Sequence, residues 1–385
     1  MTLRSACLAA CLTLLALQTA YAGTNDILIG LDAKITYGPD GQVNGPPGND
    51  AVLVMDVSNP AKPKIRASLP LMNSLLGPPT NLQITPDGKL GLVANSVVNV
   101  QDGAAWKTVP DDKLFVIDLT ADPPKLIDTV TVGKQPSGLA ISNQGNLALI
   151  ANRAGKSVSI VSIQGNTVKA VGEVPMEQEA AAVTITPDGK RAFACMNLVN
   201  KVGVLSIDGA NVTYDKTLDI PSAFNPYNID ITPDGKFAVS SHTGAQGINA
   251  DAEVSIDPSG AHPHVVDIMA PGTGAEGFAI SPNGKWAVTP LIEGSGAKPS
   301  AWNFTKGGRA VLMSVGRDGK LTVVNKAALG ALPEGIAFSP DSQYVYIGNY
   351  IDKNLQMFRI AGGKLVAAGT TALPGQPASM RGPAR

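Results

Sequence analysis

Glu276 and Glu334 hold equivalent places in two consecutive copies of a repeat, each five residues ahead of a serine that opens a turn, Ser281 or Ser339. Two carboxyls held close together cannot both ionise freely. One keeps its proton to higher pH, and the pair can act as general acid and base or hold a cation. The same offset in the other copies gives Thr80, Ser137, Ala181 and Tyr227, and the next residue gives Asn81, Gly138, Ala182, Asn228, Gly277 and Gly335. Ten places after the turn residue come Asn95, Asn152, Met196, His242, Leu291 and Asn349, with Arg153 one further on. If the repeats close into a ring, these positions converge on one opening of a central channel. Glu276, Glu334, His242 and Arg153 are then the candidate catalytic residues. Tyr227, Asn228, Asn95, Asn152 and Asn349 are candidate ligand-binding residues. The competing explanation is that water fills such a channel, so polar lining is ordinary and a wet site weakens any pKa shift.

Other chemistries find less support. His262-Pro263-His264 resembles a metal pair, but only His242 remains as a further histidine and zinc sites normally take three or four ligands. No Asp-rich calcium loop, Cys-x-x-Cys-His haem motif or nucleophile-elbow signature occurs. No metal or cofactor is therefore expected.

The elements that must position these residues are legible in the repeat. Thr85-Pro86-Asp87-Gly88-Lys89 returns at Thr186 to Lys190 and at Thr232 to Lys236, with degenerate copies opening at Ser142, Ser281 and Ser339. The six anchors are spaced 44 to 58 residues apart, the range of a four-stranded propeller blade with loop insertions. Proline sets the entry of the turn, aspartate bonds back to the backbone and glycine takes a positive φ, so the motif is a structural hairpin between strands A and B. The unit around Ser142 reads as four short strands, and a seventh unit without an anchor has strands near residues 27–30, 51–57 and 64–69. That unit lacks an inner strand. Residues 376–380 resemble the lead-in to strand A elsewhere and are expected to close the ring by pairing with the N-terminal unit, removing an exposed sheet edge, which predicts an all-β, seven-bladed propeller of four-stranded antiparallel blades. A single domain over residues 23–385 is expected.

Turns A-to-B and C-to-D share one plain face, and the other connections share an elaborated face. Long B-to-C insertions at residues 32–50, 96–112, 243–252 and 292–308 mark the elaborated face as the working one, because long loops on a rigid scaffold commonly carry function. Trp106 and Trp302 lie in those insertions and join the ligand-binding candidates. A tryptophan plugging its loop's own small core is the plainer alternative.

Residues 1–22 read as a secretory signal, with Arg4 before an apolar stretch and Ala20-Tyr21-Ala22 as the cleavage site, so a periplasmic or secreted protein beginning at Gly23 is expected. A lipidation box ending at Cys11 is an alternative. Cys195 is the cysteine left after cleavage. Thirty Lys and Arg against 31 Asp and Glu give no basic excess for nucleic acid or anionic lipid, and no later stretch reaches the roughly 18 apolar residues of a membrane span. A monomer with a protein or small-molecule partner, and no nucleic acid, is expected.

The ends of strand B, Leu92-Val93-Ala94-Asn95, Leu149-Ile150-Ala151-Asn152 and Tyr346-Ile347-Gly348-Asn349, resemble the signature of the YVTN β-propeller repeat family. The resemblance spans nearly the whole chain after the signal and implies an exported propeller, in a group that includes lactonase-like enzymes and propeller subunits of periplasmic dehydrogenases. For lactonase-like chemistry it implies His, Glu and Arg around the channel mouth, which His242, Glu276, Glu334 and Arg153 can supply. The histidine that such enzymes carry ahead of strand A is replaced here by Thr80, Ser137, Ala181 and Tyr227. The leading expectation is a binding or scaffolding propeller. The alternatives are metal-free opening or closing of a lactone ring, and an accessory role beside a periplasmic oxidoreductase.

Overall fold

A computed structural model describes residues 25–244 and 249–385. The expected signal segment and its cleavage site lie outside the described residues. Seven antiparallel sheets form the blades of a propeller. Blade 1 takes its inner strand from the far end of the chain, in the order Pro377–Arg381, Asp26–Leu31, Ala51–Asp56 and Lys64–Leu69. Its closing ladder pairs Leu28 with Arg381 and Ile29 with Met380. Blades 2 to 7 begin with inner strands Leu82–Ile84, Pro136–Ile141, Ala182–Ile185, Pro226–Ile231, Ala279–Ile280 and Pro333–Phe338. No helix among the described residues is long and apolar enough to cross a membrane.

The repeated turn is an interlocked hydrogen-bond unit. The Thr85 hydroxyl donates to Asp87 at 2.7 Å, the amides of Lys89 and Leu90 donate to Asp87 and Thr85, and Gly88 sits at φ 71°. Thr186 and Thr232 repeat the arrangement. The degenerate copy at Ser339 keeps the hydroxyl-to-Asp341 bond with Ser342 in the left-handed region in glycine's place.

The end of strand B is also a structural device. Asn152 donates to Ser157 and Ser159 at 3.0 and 2.9 Å, and Asn349 donates to Asn354 and Gln356 at 2.8 and 3.1 Å. Asn95 donates to Asp111 and to the Val97 carbonyl. These side chains pin their own B-to-C hairpins. His242 is buried between Ser240 and Ser222, with Nε2 2.9 and 3.3 Å from their hydroxyls. Burial lowers its pKa to about 4, so the ring is neutral near pH 7.

Two of the long insertions are ordered differently from a simple loop. Residues 96–112 continue the ladder, as strands Leu90–Asp102 and Ala105–Asp118 extend into one long hairpin carrying Trp106. Residues 32–50 hold a small hairpin, Ile35–Gly38 with Gly41–Asn44. Its base is fixed by Lys34, 1% exposed, whose ammonium lies 3.2 Å from Asp32 and 2.9 Å from Asp50 and donates to the Asn73 carbonyl. The two carboxylates in turn take the amides of Ala33, Lys34, Ile35, Asn73 and Leu75. Each member of this buried cluster is hydrogen-bonded, and these bonds and Lys34 work against the burial that raises the Asp32 pKa.

Glu253 differs. It is fully buried in strand Ala252–Asp257 of blade 5, beside the Thr289 hydroxyl of blade 6, and the charge it feels is that of another acid, Asp251. Burial drives its pKa well above the ordinary glutamate range, so the carboxyl is held neutral.

Two outcomes follow from these groups. Lys34→Met leaves two buried carboxylates without their cation and should cost about 3–5 kcal/mol of unfolding free energy, read by urea denaturation. For Glu253 the folded state binds the proton more tightly than the unfolded chain. Its stabilising contribution is complete below the ordinary glutamate pKa and is lost as pH rises toward the folded value. The thermal midpoint should therefore fall as pH rises above the ordinary glutamate range, and Glu253→Gln should flatten that fall. A midpoint gap unchanged in Glu253→Gln would show that the carboxyl is ionised in the fold.

Candidate functional site

Tyr227 and Glu334 sit at the starts of the inner strands of blades 5 and 7, as the second residues of Pro226–Ile231 and Pro333–Phe338. Glu276 lies just ahead of the inner strand of blade 6 and follows Ala275, which bridges to Leu291. Gly277 sets the spacing of the two acids. A β-carbon there would lie 2.5 Å from the Glu334 carbonyl oxygen and 2.8 Å from the Pro290 ring, so only glycine lets blades 6 and 7 come this close. Arg153, one residue beyond Leu147–Asn152, reaches over Tyr227 with its guanidinium carbon 5.8 Å from the ring centroid. Its Nε lies 3.8 Å from Glu179 and makes no hydrogen bond. The structure therefore brings Glu276, Glu334, Tyr227 and Arg153 together.

The mouth is covered. The small hairpin of blade 1 lays Ile35 and Tyr37 over it, Tyr37 packs edge-on against Tyr350 at 6.1 Å, and the Tyr350 hydroxyl donates to the Ile35 carbonyl at 2.7 Å. Leu75, Leu332 and Ala378 complete this apolar cap. Residues 71–79 form a strap across the opening, where the Gly77 amide faces the Tyr227 hydroxyl. Beneath the strap the Ser96 and Ser137 hydroxyls are 3.2 Å apart.

Coverage sets the electrostatics. Burial first, then the neighbouring Glu276 charge, holds the Glu334 carboxyl well above the ordinary glutamate range; the residue is 2% exposed and its Oε2 makes no hydrogen bond. Burial raises Glu276 to about 7, against the lowering effect of Arg153 and with a smaller raising effect from Asp251. Burial and the two acids push the Tyr227 and Tyr37 hydroxyls up, keeping both protonated. Near neutral pH the site thus offers a neutral acid, an acid half ionised, a guanidinium with an unused donor and two phenols. A ligand with hydroxyl or carbonyl groups can meet each of these.

The remaining candidates sit elsewhere. His242, Asn95, Asn152 and Asn349 are bonded within their own blades, as described above. Asn228 lies one layer deeper, where its amide oxygen accepts from the Thr80 hydroxyl at 3.2 Å and its nitrogen donates to the Phe278 carbonyl. Trp106 is half-buried on the extended hairpin, and Trp302 is 80% exposed on the blade 6 insertion, so it does not plug that loop. His262 and His264 are exposed at the plain face. Among the described residues no group of three His, Cys, Asp or Glu side chains could hold a metal ion. Sequence reasoning missed Tyr37, Tyr350 and Gly77.

Comparison with known proteins places the fold. No family model matches the chain, and no curated protein matches it. Among solved structures, the periplasmic gluconolactonase of Pseudomonas aeruginosa is similar, with 17% identity, TM-score 0.67, and coverage of 92% of this chain and 98% of that one. A functionally unknown protein of Desulfotomaculum acetoxidans has 15% identity and TM-score 0.68, covering 92% and 97%. Hydrazine synthase of Kuenenia stuttgartiensis has 20% identity and TM-score 0.57, covering 75% and 78%. At these identities the chain shares with them the propeller fold.

Proposed function

We propose that this chain is an exported, periplasmic propeller that binds a small hydroxylated ligand in the capped mouth on its elaborated face. The observation that carries this reading is the pair of carboxyls from adjoining blades, the partly exposed Glu276 and the buried Glu334, set beside an arginine with an unused donor. Burying unsatisfied polar groups is costly, and a ligand that supplies their partners recovers that cost. The half-buried Tyr227 and Tyr37 give flat surfaces for a sugar-sized ring.

Metal-free opening of a lactone is a second reading, supported by the pKa of Glu276 near 7 and by the gluconolactonase among proteins of this fold. In that reaction Glu276, as carboxylate, takes a proton from water while the water oxygen bonds to the lactone carbonyl carbon. Arg153 steadies the developing oxyanion. The ring C–O bond then breaks, and the departing ring oxygen takes its proton from Glu334, which is returned from Glu276. A binding role toward a partner protein rests instead on exposed Trp302 and the long insertions, and an accessory role beside an oxidoreductase rests on likeness of fold alone.

Calorimetric titration of glucono-lactone, gluconate and neutral sugars should give saturable binding that weakens by about tenfold or more in Glu276→Gln and Glu334→Gln, as expected for charge-assisted hydrogen bonds. Retention of full affinity in both variants would remove the mouth as the site. If the lactone is opened, the rate should rise with pH to a plateau above about 7, because the base must be ionised, and Glu276→Gln should lower kcat by about 10²–10⁴.

A further inference from the structure

Blade 6 holds its acid differently from the blades on either side. Tyr227 and Glu334 lie within inner strands whose ladders open at the proline before them, Pro226 paired with His242 and Pro333 with Asn349. The inner strand of blade 6 pairs only through Ala279 and Ile280, so Glu276 stands outside it, in a lead-in that meets strand B at the isolated bridge of Ala275 to Leu291. Side chains supply what the ladder does not. The Asp251 carboxylate of blade 5 takes the amides of Gly274 at 2.6 Å and Ala275 at 3.0 Å, and the Ser241 and Thr289 hydroxyls donate to the carbonyls of Glu276 and Gly277 at 3.4 and 2.8 Å.

The repeat contains this device more than once. Six residues before the aspartate that ends strand C, at Asp56, Asp118 or Asp257, stands another, Asp50, Asp112 or Asp251. Asp50 takes the amide of Asn73, 23 residues on and ahead of blade 2, just as Asp251 takes that of Gly274 after the same interval. The counter-ion differs. Asp50 is paired with Lys34 and Asp112 with Lys113 and Lys134, whereas among the described residues no Lys or Arg pairs with Asp251. Asp251 is 2% exposed, and its Oδ1 makes no hydrogen bond.

On the reading of the mouth as the binding site, we propose that Asp251 is its positioning residue: the carboxylate stands in for the missing ladder bonds, holds Glu276 toward Glu334 and Arg153, and leaves an unpaired negative charge beside it. Burial is the largest influence on the protonation of Glu276; Arg153 opposes it and Asp251 adds to it. Glu334, Tyr227 and Tyr37 also face Glu276, and Glu253 faces Asp251. The insertion of blade 5 thereby reaches an acid on blade 6.

Carbon-13 NMR titration of the glutamate carboxyls and hydrogen exchange of the Gly274 and Ala275 amides separate the two contributions. Asp251→Asn keeps an oxygen for both amides but no charge, so exchange should stay slow while Glu276 titrates at lower pH than in the unaltered protein. Asp251→Ala loses both, and the two amides should exchange about tenfold faster or more, as expected for charge-assisted hydrogen bonds. An unchanged Glu276 titration in Asp251→Asn, or unchanged exchange in Asp251→Ala, would overturn the proposal. If Asp251→Ala does not fold, the titration of Asp251→Asn still decides. Both readouts are taken without ligand, whereas failure of the binding reading shows as absence of gluconate binding to the unaltered protein, so the two failures are told apart.

Discussion

The ladder between Pro377–Arg381 and Asp26–Leu31 is the contact on which the rest depends. A blade has two flanks and can bury them only against its neighbours, so an open array leaves two apolar flanks and two sheet edges in water. Borrowing the inner strand of blade 1 from the far end of the chain removes both. It also draws all seven inner strands toward one axis, close enough that the next residues along them must be small or hydrogen-bonded: Gly138, Gly277 and Gly335 have no room for a β-carbon, and Asn228 bonds across the ring. The same strand carries Arg381 and the residues after it into the channel among the turn prolines of the plain face. The arrangement at both ends of the channel is therefore a consequence of one closure.

What happens at the mouth is decided by exclusion of water. In an open channel, paired glutamates would be solvated and mostly ionised. The hairpin of blade 1 and the strap over residues 71–79 replace water with tyrosine rings and aliphatic side chains, and the acids respond by holding protons. That cover rests on a separate electrostatic solution a few residues away, where Lys34, Asp32, Asp50 and the surrounding amides satisfy one another. One buried charge cluster is complete and rigid; the other has spare hydrogen-bonding capacity. The contrast separates the part that supports from the part that can receive a ligand.

The architecture was legible because it repeats. The Thr-Pro-Asp-Gly turn fixed the counting frame, and that frame alone located Glu276, Glu334, Tyr227 and, one place past strand B, Arg153. It located the strand-end asparagines equally well but not their role. A signal for that role was present: Asn152 has Ser157 and Ser159 five and seven places on, and Asn349 has Asn354 and Gln356 at the same offsets. Tyr37, Gly77 and Tyr350 had no such frame, because their partners are Tyr350, Tyr227 and Ile35, far apart in the chain and in unrelated loops. Burial of the two acids followed from those contacts, so a reading confined to the repeat gave a wet channel.

The strap over residues 71–79 also governs traffic. If the mouth binds as proposed, a sugar-sized ligand would need an opening fluctuation of this cover to reach Glu334, which is 2% exposed beneath the cap where the Tyr350 hydroxyl is tied to Ile35. Association would then be limited by the frequency of that fluctuation rather than by diffusion, and departure would be slowed by the same step. A ligand of modest affinity could still have a long residence time, which suits a protein that must retain a scarce molecule better than one that must sample it quickly.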